Sequence, residues 1–305
     1  MNMARARMAL TLVLGVSLAG CAGLPQRQAV VQESIMGYAE LDETLNALPP
    51  GRSLVVFDLD NTVLTMNDAL GGVAWYDWQQ VLEQTEQKEP GEIDNELNVQ
   101  GILYATRDMS PVEDRVPAII AGLERAGVDV MALTARGPAF RDATLTQLGR
   151  HGIQFSERPE CGEPLCNRRG VIDATHVEAL AEKRFGRAAL EKHEFKSGRP
   201  LSASEGVVMV AGQNKGIVLS LLLESLPKRY EQVVFIDDAE KNIEQMTGFA
   251  PFIDTGLTIV HYKRFERQVL EFLGSSERQG AVSAQWERMR QALCTGAKPA
   301  WCSEL

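Results

Sequence analysis

The 305-residue sequence predicts an α/β fold: a parallel sheet between layers of helices, broken by two insertions. Three observations lead there. Apolar runs of strand length recur at 53–57, 128–133, 233–236 and 257–262, with a weaker one at 152–155. Segments of helical spacing alternate with them. The runs also end on polar or charged residues, at the edge where open parallel sheets bind ligands.

Residues 1–20 read as a leader. Arg5 and Arg7 precede an apolar run at 8–19, shorter than the ~20 residues a spanning helix needs. Residues 22–28 form a tether, and 29–47 carry helical spacing that Pro49-Pro50-Gly51 stops. The core is expected over 53–275. Within it, 66–108 form the first insertion, with A-W-Y-D-W-Q-Q at 74–80 and a polar run at 86–96; a mostly helical cap is expected there. Ser110-Pro111-Val112-Glu113 has the form of a capping box with proline at the first helical position. Val116, Ile119, Ile120 and Leu123 follow at helical spacing, and Gly127 closes the helix. Further helices are predicted at 139–148, at 215–226 with one apolar side, and at 239–246. The second insertion, 156–205, holds a helix near 175–192 and the start of a hairpin over 193–210 that turns at Ser197-Gly198. Residues 276–305 add a helix near 282–293 and a cysteine-containing tail.

The apolar leader ends L-A-G-C at Cys21, which resembles the lipobox of bacterial lipoproteins. That resemblance implies export and lipidation of Cys21, with Ala22 favouring the periplasmic face of the outer membrane. Cys161, Cys166, Cys294 and Cys302 then face an oxidising compartment. Four cysteines allow three pairings; proximity favours Cys161–Cys166 and Cys294–Cys302. A zinc site is disfavoured, because C-G-E-P-L-C at 161–166 has no companion C-x-x-C and the four histidines are scattered. The net charge of −10, without a basic stripe, argues against nucleic acid as a partner.

Four strand or helix ends collect reactive groups. Asp58-Leu59-Asp60-Asn61-Thr62 follows the first strand, and Thr134 ends another in M-A-L-T-A-R-G. Lys215 starts a helix in G-Q-N-K-G, and Asp237-Asp238 end a strand in V-V-F-I-D-D. In this order the set resembles the haloacid dehalogenase superfamily over residues 53–262, the insertions unmatched: D-x-D-x-T, then S/T, then K, then D-D.

The resemblance implies a three-layer Rossmann-like core and an Mg²⁺-dependent phosphatase acting on a small phosphorylated substrate. Asp58 is then the nucleophile, forming an aspartyl-phosphate. The metal is expected on the Asp58 carboxylate, the Asp60 backbone carbonyl and Asp237, with Asp238 a further ligand or an orienting neighbour. Thr134 would donate to phosphoryl oxygens and Lys215 would stabilise their charge. Asp60 would serve as acid and then base, which favours phosphate-ester over carbon–halogen chemistry. A phosphotransferase shares every one of these residues, and a non-catalytic ligand-binding lipoprotein shares the fold.

Four residues are candidates for the substrate pocket. Trp75, Asp77 and Trp78 either line it or fill a small core. Arg136 either reaches a phosphate or makes a surface salt bridge. Asn61 is expected to shape the turn after Asp60 and the Thr62 hydroxyl to hold that loop, while Asn242 either steadies the metal loop or stands exposed on its helix.

Overall fold

Every residue of the strand Ser53–Phe57 is buried, so apolar side chains must be covered on both faces. The architecture follows from that demand. The computed structural model describes residues 30–84, 90–93, 95–156, 171–295 and 302. The leader, Cys21, the tether and the Cys161–Cys166 pair lie outside the described residues.

In chain order the elements are β1 (Val30–Ile35), α1 (Asp42–Asn46), β2 (Ser53–Phe57), β3 (Leu64–Met66), α2 (Val73–Glu83), α3 (Glu96–Thr106), β4 (Met109–Pro111), α4 (Val116–Arg125), β5 (Asp129–Thr134) and α5 (Arg141–Arg150). Then come β6 (Val171–Ile172), α6 (Ala174–Phe185), α7 (Arg187–Lys192), β7 (Leu201–Ser204), β8 (Val207–Met209), α8 (Lys215–Ser225), β9 (Gln232–Asp237), α9 (Glu240–Phe249), β10 (Gly256–Tyr262), α10 (Glu266–Leu273) and α11 (Ser276–Cys294).

Eight strands form one sheet in the order β1-β10-β9-β2-β5-β8-β7-β6. It is parallel from β1 to β8, while β7 runs antiparallel to both of its neighbours. Side chains alternate between two cores. Val55, Phe57, Val130, Ala132, Val234 and Ile236 face one, with α2, α3, α4, α5, α10 and α11. Leu54, Val56, Met131, Leu133, Val233 and Phe235 face the other, with α6, α7, α8 and α9. The result is a three-layer α/β arrangement of the Rossmann-like kind. The strand order runs from β2 outward through β5 in one direction and through β9 in the other. Ligands bind at such a reversal, beyond the carboxyl ends of the strands.

The first insertion is mostly helical, as expected. β3 and β4 pair antiparallel at its base. Gln147 of α5 ties it to the core: its Nε2 donates to the carbonyls of Tyr104 (3.1 Å) and Arg107 (2.7 Å). A disulfide joins Cys294 to Cys302.

Several local expectations are corrected. The helix predicted over 29–47 begins instead as β1, which pairs with β10 from Val30↔Leu257 to Ile35↔Tyr262; only Asp42–Asn46 is α-helical. The core sheet therefore starts well before residue 53. Ser110 caps no helix, because it lies on β4 opposite Thr65, and α4 begins at Val116 with proline in its own first turn. Glu113 serves elsewhere: its Oε1 accepts from the Tyr38 backbone N–H (2.9 Å) and the Tyr262 hydroxyl (2.8 Å). Residues 152–155 form no strand, since β8 takes the edge of β5. The hairpin turns at Glu205-Gly206, both in the left-handed region (φ 53° and 68°) that two-residue hairpin turns require. Its strand β7, with β6, extends the central sheet, so the end of the second insertion is continuous with the core. Helix α8 is buried on all sides over its first two turns rather than on one side: every residue from Lys215 to Leu222 is buried, Lys215 and Ser220 included.

Candidate active site

The site is built where β2, β5 and β9, adjacent in the sheet, end. Asp58 follows β2, its N–H donating to the Ile236 carbonyl on β9 (2.8 Å). The chain then turns back on itself around one acceptor. The Leu59 carbonyl receives the N–H groups of Thr62 (3.3 Å), Val63 (2.9 Å) and Leu64 (2.9 Å). Asn61 takes the left-handed conformation this needs (φ 55°), and its Oδ1 accepts from the Thr65 hydroxyl (2.9 Å). Asn61 thus shapes the turn as expected. Thr62 does not hold it by its hydroxyl: Oγ1 is buried without a partner among the described residues, and the Thr62 carbonyl accepts from Tyr38 Oη (2.9 Å) instead.

Lys215 opens α8, whose N-cap is Asn214: its side chain accepts from the Ile217 N–H (3.1 Å). The Lys215 ammonium is 1% exposed and bridges two carboxylates, Asp58 Oδ1 at 2.5 Å and Asp237 Oδ2 at 2.7 Å. Burial alone would lower its pKa, but the Asp237 and Asp58 charges outweigh burial and raise it. Asn242 completes the setting of Asp237. Its amide donates to both carboxylate oxygens (2.9 and 3.1 Å), and the Ala239 N–H donates to Oδ1 (2.9 Å).

Asp58, Asp237 and Asp238 each offer a carboxylate oxygen within 4.8 Å of the others. Burial pushes Asp58 up to about 7, helped by Asp237 and Asp60 and opposed by Lys215. Asp238 is raised well above the usual carboxylate range by burial and by the charges of Asp58 and Asp237. Three ionised carboxylates against one ammonium would leave two uncompensated negative charges, and that excess adds to burial in raising the proton affinities of Asp58 and Asp238. An all-oxygen donor set with this deficit fits a hard divalent cation.

The Asp60 side chain stands apart from that group. Arg136 grips it with two parallel hydrogen bonds, Nε–Oδ2 at 2.9 Å and Nη2–Oδ1 at 2.7 Å. Arg136 is itself buried. Its Nη1 donates to Thr144 Oγ1 (2.9 Å), and its guanidinium lies 3.9 Å from the centre of the Tyr104 ring. The sequence offers Arg136 a phosphate contact or a surface salt bridge; the structure gives a salt bridge that is buried, because Tyr104 and Thr144 cover the guanidinium. Thr134 is buried at the end of β5, and its Oγ1 accepts from the Arg136 N–H (3.2 Å), which leaves the hydroxyl proton free to be donated.

The pocket candidates divide. Trp75 and Trp78 lie on the buried side of α2 and fill the core, Trp78 edge-on to Phe272 of α10 (6.1 Å). They are core residues, not pocket lining, because α2 presents positions 75, 78 and 79 inward. Asp77 is half-buried, and burial pushes its carboxyl up to about 6. A cleft of about 430 Å³ in the first insertion, lined by Gln79, Glu83 and Glu96 among others, lies apart from the carboxylates at the strand ends.

Tyr104 was not singled out in the sequence. No periodicity marks it, since it acts on a residue 32 positions later across the fold. Arg136 carried a partial signal, since it lies two residues beyond Thr134 in M-A-L-T-A-R-G.

Residues 33–297 match the family described as "Protein of unknown function (DUF2608)". The chain belongs to the DUF2608 family. The match spans the DUF2608 chain from β1 to just past α11, so every residue of the candidate site falls within it. No curated protein matches this DUF2608 member.

Proposed function

We propose that this DUF2608 member is a phosphomonoester hydrolase with the fold and chemistry of the haloacid dehalogenase superfamily. One observation carries the reading: a buried lysine bridges Asp58 and Asp237 at the ends of adjacent strands, with Asp60 held separately alongside. A binding protein has no need of a nucleophile kept beside a buried ammonium and a second carboxylate kept out of the cluster.

In this reading Asp58 attacks phosphorus and the ester P–O bond breaks. The leaving oxygen takes a proton from Asp60, and the phosphoryl group remains on Asp58. Asp60 then removes a proton from water, which attacks the same phosphorus, freeing Asp58 and inorganic phosphate. Lys215 and the Thr134 hydroxyl stabilise the phosphoryl oxygens throughout. The Arg136 fork suits Asp60 in its second role, as base. For the first role Asp60 carries a proton, which loosens the fork. Asp58, Asp237 and Asp238 would hold Mg²⁺, with the Asp60 backbone carbonyl as a further ligand; when bound, the ion supplies Lewis-acid neutralisation of the phosphoryl charge.

The test is hydrolysis of an aryl phosphate by the protein with Mg²⁺ and with chelator. Turnover that requires the metal and is lost in Asp58→Asn is expected; no turnover in folded protein under any divalent metal overturns the reading.

We also propose that the protein is exported and held at a membrane by lipid on Cys21. The leader ending L-A-G-C supports this, and the Cys294–Cys302 disulfide suits an oxidising compartment. Cys21→Ala is expected to move the protein from the membrane fraction to the soluble one; unchanged retention contradicts the anchor.

A further inference from the structure

The loop between β8 and α8 is pinned on one side to the segment that carries Arg136. Its Ala211 N–H donates to the Arg136 carbonyl (3.1 Å) and its Gly212 N–H to the Ala135 carbonyl (2.8 Å). On the other side it runs directly into Lys215. The second insertion returns across this loop. Gln213 Oε1 accepts from the Lys196 N–H (2.9 Å), the Gln213 amide donates to the Lys196 carbonyl, and Arg199 Nη1 donates to the Ala211 carbonyl (2.8 Å).

Two cations converge there. The position a Cβ would occupy at Gly212 lies 2.9 Å from Arg199 Nη1 and 3.8 Å from Lys196 Nζ. Gly212 has φ +71°, where a side chain would be strained, and the atoms nearest its Cβ position are the ends of these two cationic side chains. Neither cation pairs with a carboxylate among the described residues, whereas neighbouring Lys241 pairs with Glu194 (3.3 Å). Burial, and then the charges of Arg199 and Lys241, press the Lys196 ammonium downward, with only Glu194 opposing. Arg199 is exposed and Lys196 half-buried, so water screens part of their repulsion, and a bound anion offsets what is left. The loop that carries Gly212 is bonded to the segment of Arg136 and reaches Lys215 three residues later, so the pair stands beside the carboxyl ends of the strands that hold the site.

We propose that Lys196 and Arg199 form a second anion site at this mouth, and that the substrate is a phosphomonoester bearing a further anionic group, a carboxylate or a second phosphate. The substrate class rests on the phosphatase reading. The reacting phosphoryl group occupies the Asp58–Lys215 centre, and the second anion sits between Lys196 and Arg199 over Gly212. Charge-assisted hydrogen bonds to that group supply the selectivity.

The test uses three non-hydrolysable probes on the protein at a fixed excess of Mg²⁺: ethylphosphonate, 2-carboxyethylphosphonate and ethane-1,2-bisphosphonate. Calorimetry is expected to show at least about tenfold tighter binding of one doubly anionic probe than of ethylphosphonate. Which one is tighter tells carboxylate from phosphate. The Lys196→Met/Arg199→Ala double variant is expected to lose the preference; the ratio is read within each protein, so an inactive fraction cancels. No preference in the wild type, or a preference that survives in the double variant, overturns the proposal. A preference that is lost in the variant, in a protein that hydrolyses no aryl phosphate, upholds the anion site and refutes the phosphatase reading alone.

Discussion

Replacing Arg136 with Met tests how Asp60 is held. The guanidinium makes two bonds to Asp60, one to Thr144 and a face contact with Tyr104, while its own side chain is only 2% exposed. Removing one partner of a buried ion pair costs about 3–5 kcal/mol. Asp60 is 22% exposed, so water recovers part of that; the stacking on Tyr104 adds about 1 kcal/mol, and the Met side chain restores some packing. The expected loss is about 2–4 kcal/mol in urea unfolding. The pairwise part is isolated by a cycle with Asp60→Asn, for which about 2 kcal/mol of coupling is expected. Turnover should show the same dependence. Arg136→Met should slow hydrolysis about as much as loss of acid–base assistance, about 10²-fold or more, and the double variant should be no slower than Asp60→Asn alone. A coupling below about 0.5 kcal/mol, within the scatter of independent sites, or full activity in folded Arg136→Met, would refute the argument that Arg136 positions Asp60.

Other outcomes are expected as follows. Burial raises Asp77 to about 6, so between pH 4 and 6 the folded state holds a proton the unfolded chain has lost. Stability from this group is full below pH 4 and falls as pH rises through 6, by about 3 kcal/mol at most. Asp77→Asn should flatten that part of the pH–stability curve, and an unchanged slope refutes it. Mg²⁺ at about a hundredfold its dissociation constant should raise the wild-type melting temperature by about 5 °C, an effect lost in Asp237→Asn; calorimetric melts without a shift in the wild type remove the metal. A Cβ at Gly216 would lie 2.5 Å from the Gln245 carbonyl oxygen and 2.9 Å from Phe249 Cβ. Gly216→Ala should therefore push α8 off α9, cost about 1–3 kcal/mol, and lower turnover by displacing Lys215; melts and rates matching the wild type would contradict this.

The strand ends were legible because their signal is local. An apolar run that closes on aspartate, threonine or a lysine-initiated helix can be read from a dozen residues, and the structure brings Asp58, Thr134, Lys215, Asp237 and Asp238 to one edge of the sheet. What escaped depends on distant partners. Val30 and Val31 become strand only through β10, more than 200 residues away, so their local spacing is as compatible with helix. Ser110 has the chemistry of a cap, but pairing with Thr65 outweighs it. Ser197-Gly198 and Glu205-Gly206 are equally plausible turns until β8 docks on β5 and fixes the register. The Asp60–Arg136–Tyr104 chain joins two strand ends and an insertion, and no window along the sequence contains all three.

The direction of β1 also bears on how the molecule would meet a bilayer. β1 runs parallel to β10, β9 and β2, so its first residue lies at the amino edge of the sheet and the reactive carboxylates lie at the opposite edge. On the proposed anchoring, the nine peptide links from Cys21 to Val30 reach at most about 32 Å. On that proposal the leash would join the sheet at the edge away from the carboxylates. The mouth would then open away from the lipid headgroups and toward dissolved molecules. Such an enzyme would meet small phosphate esters diffusing past, not the phosphates of the bilayer that holds it.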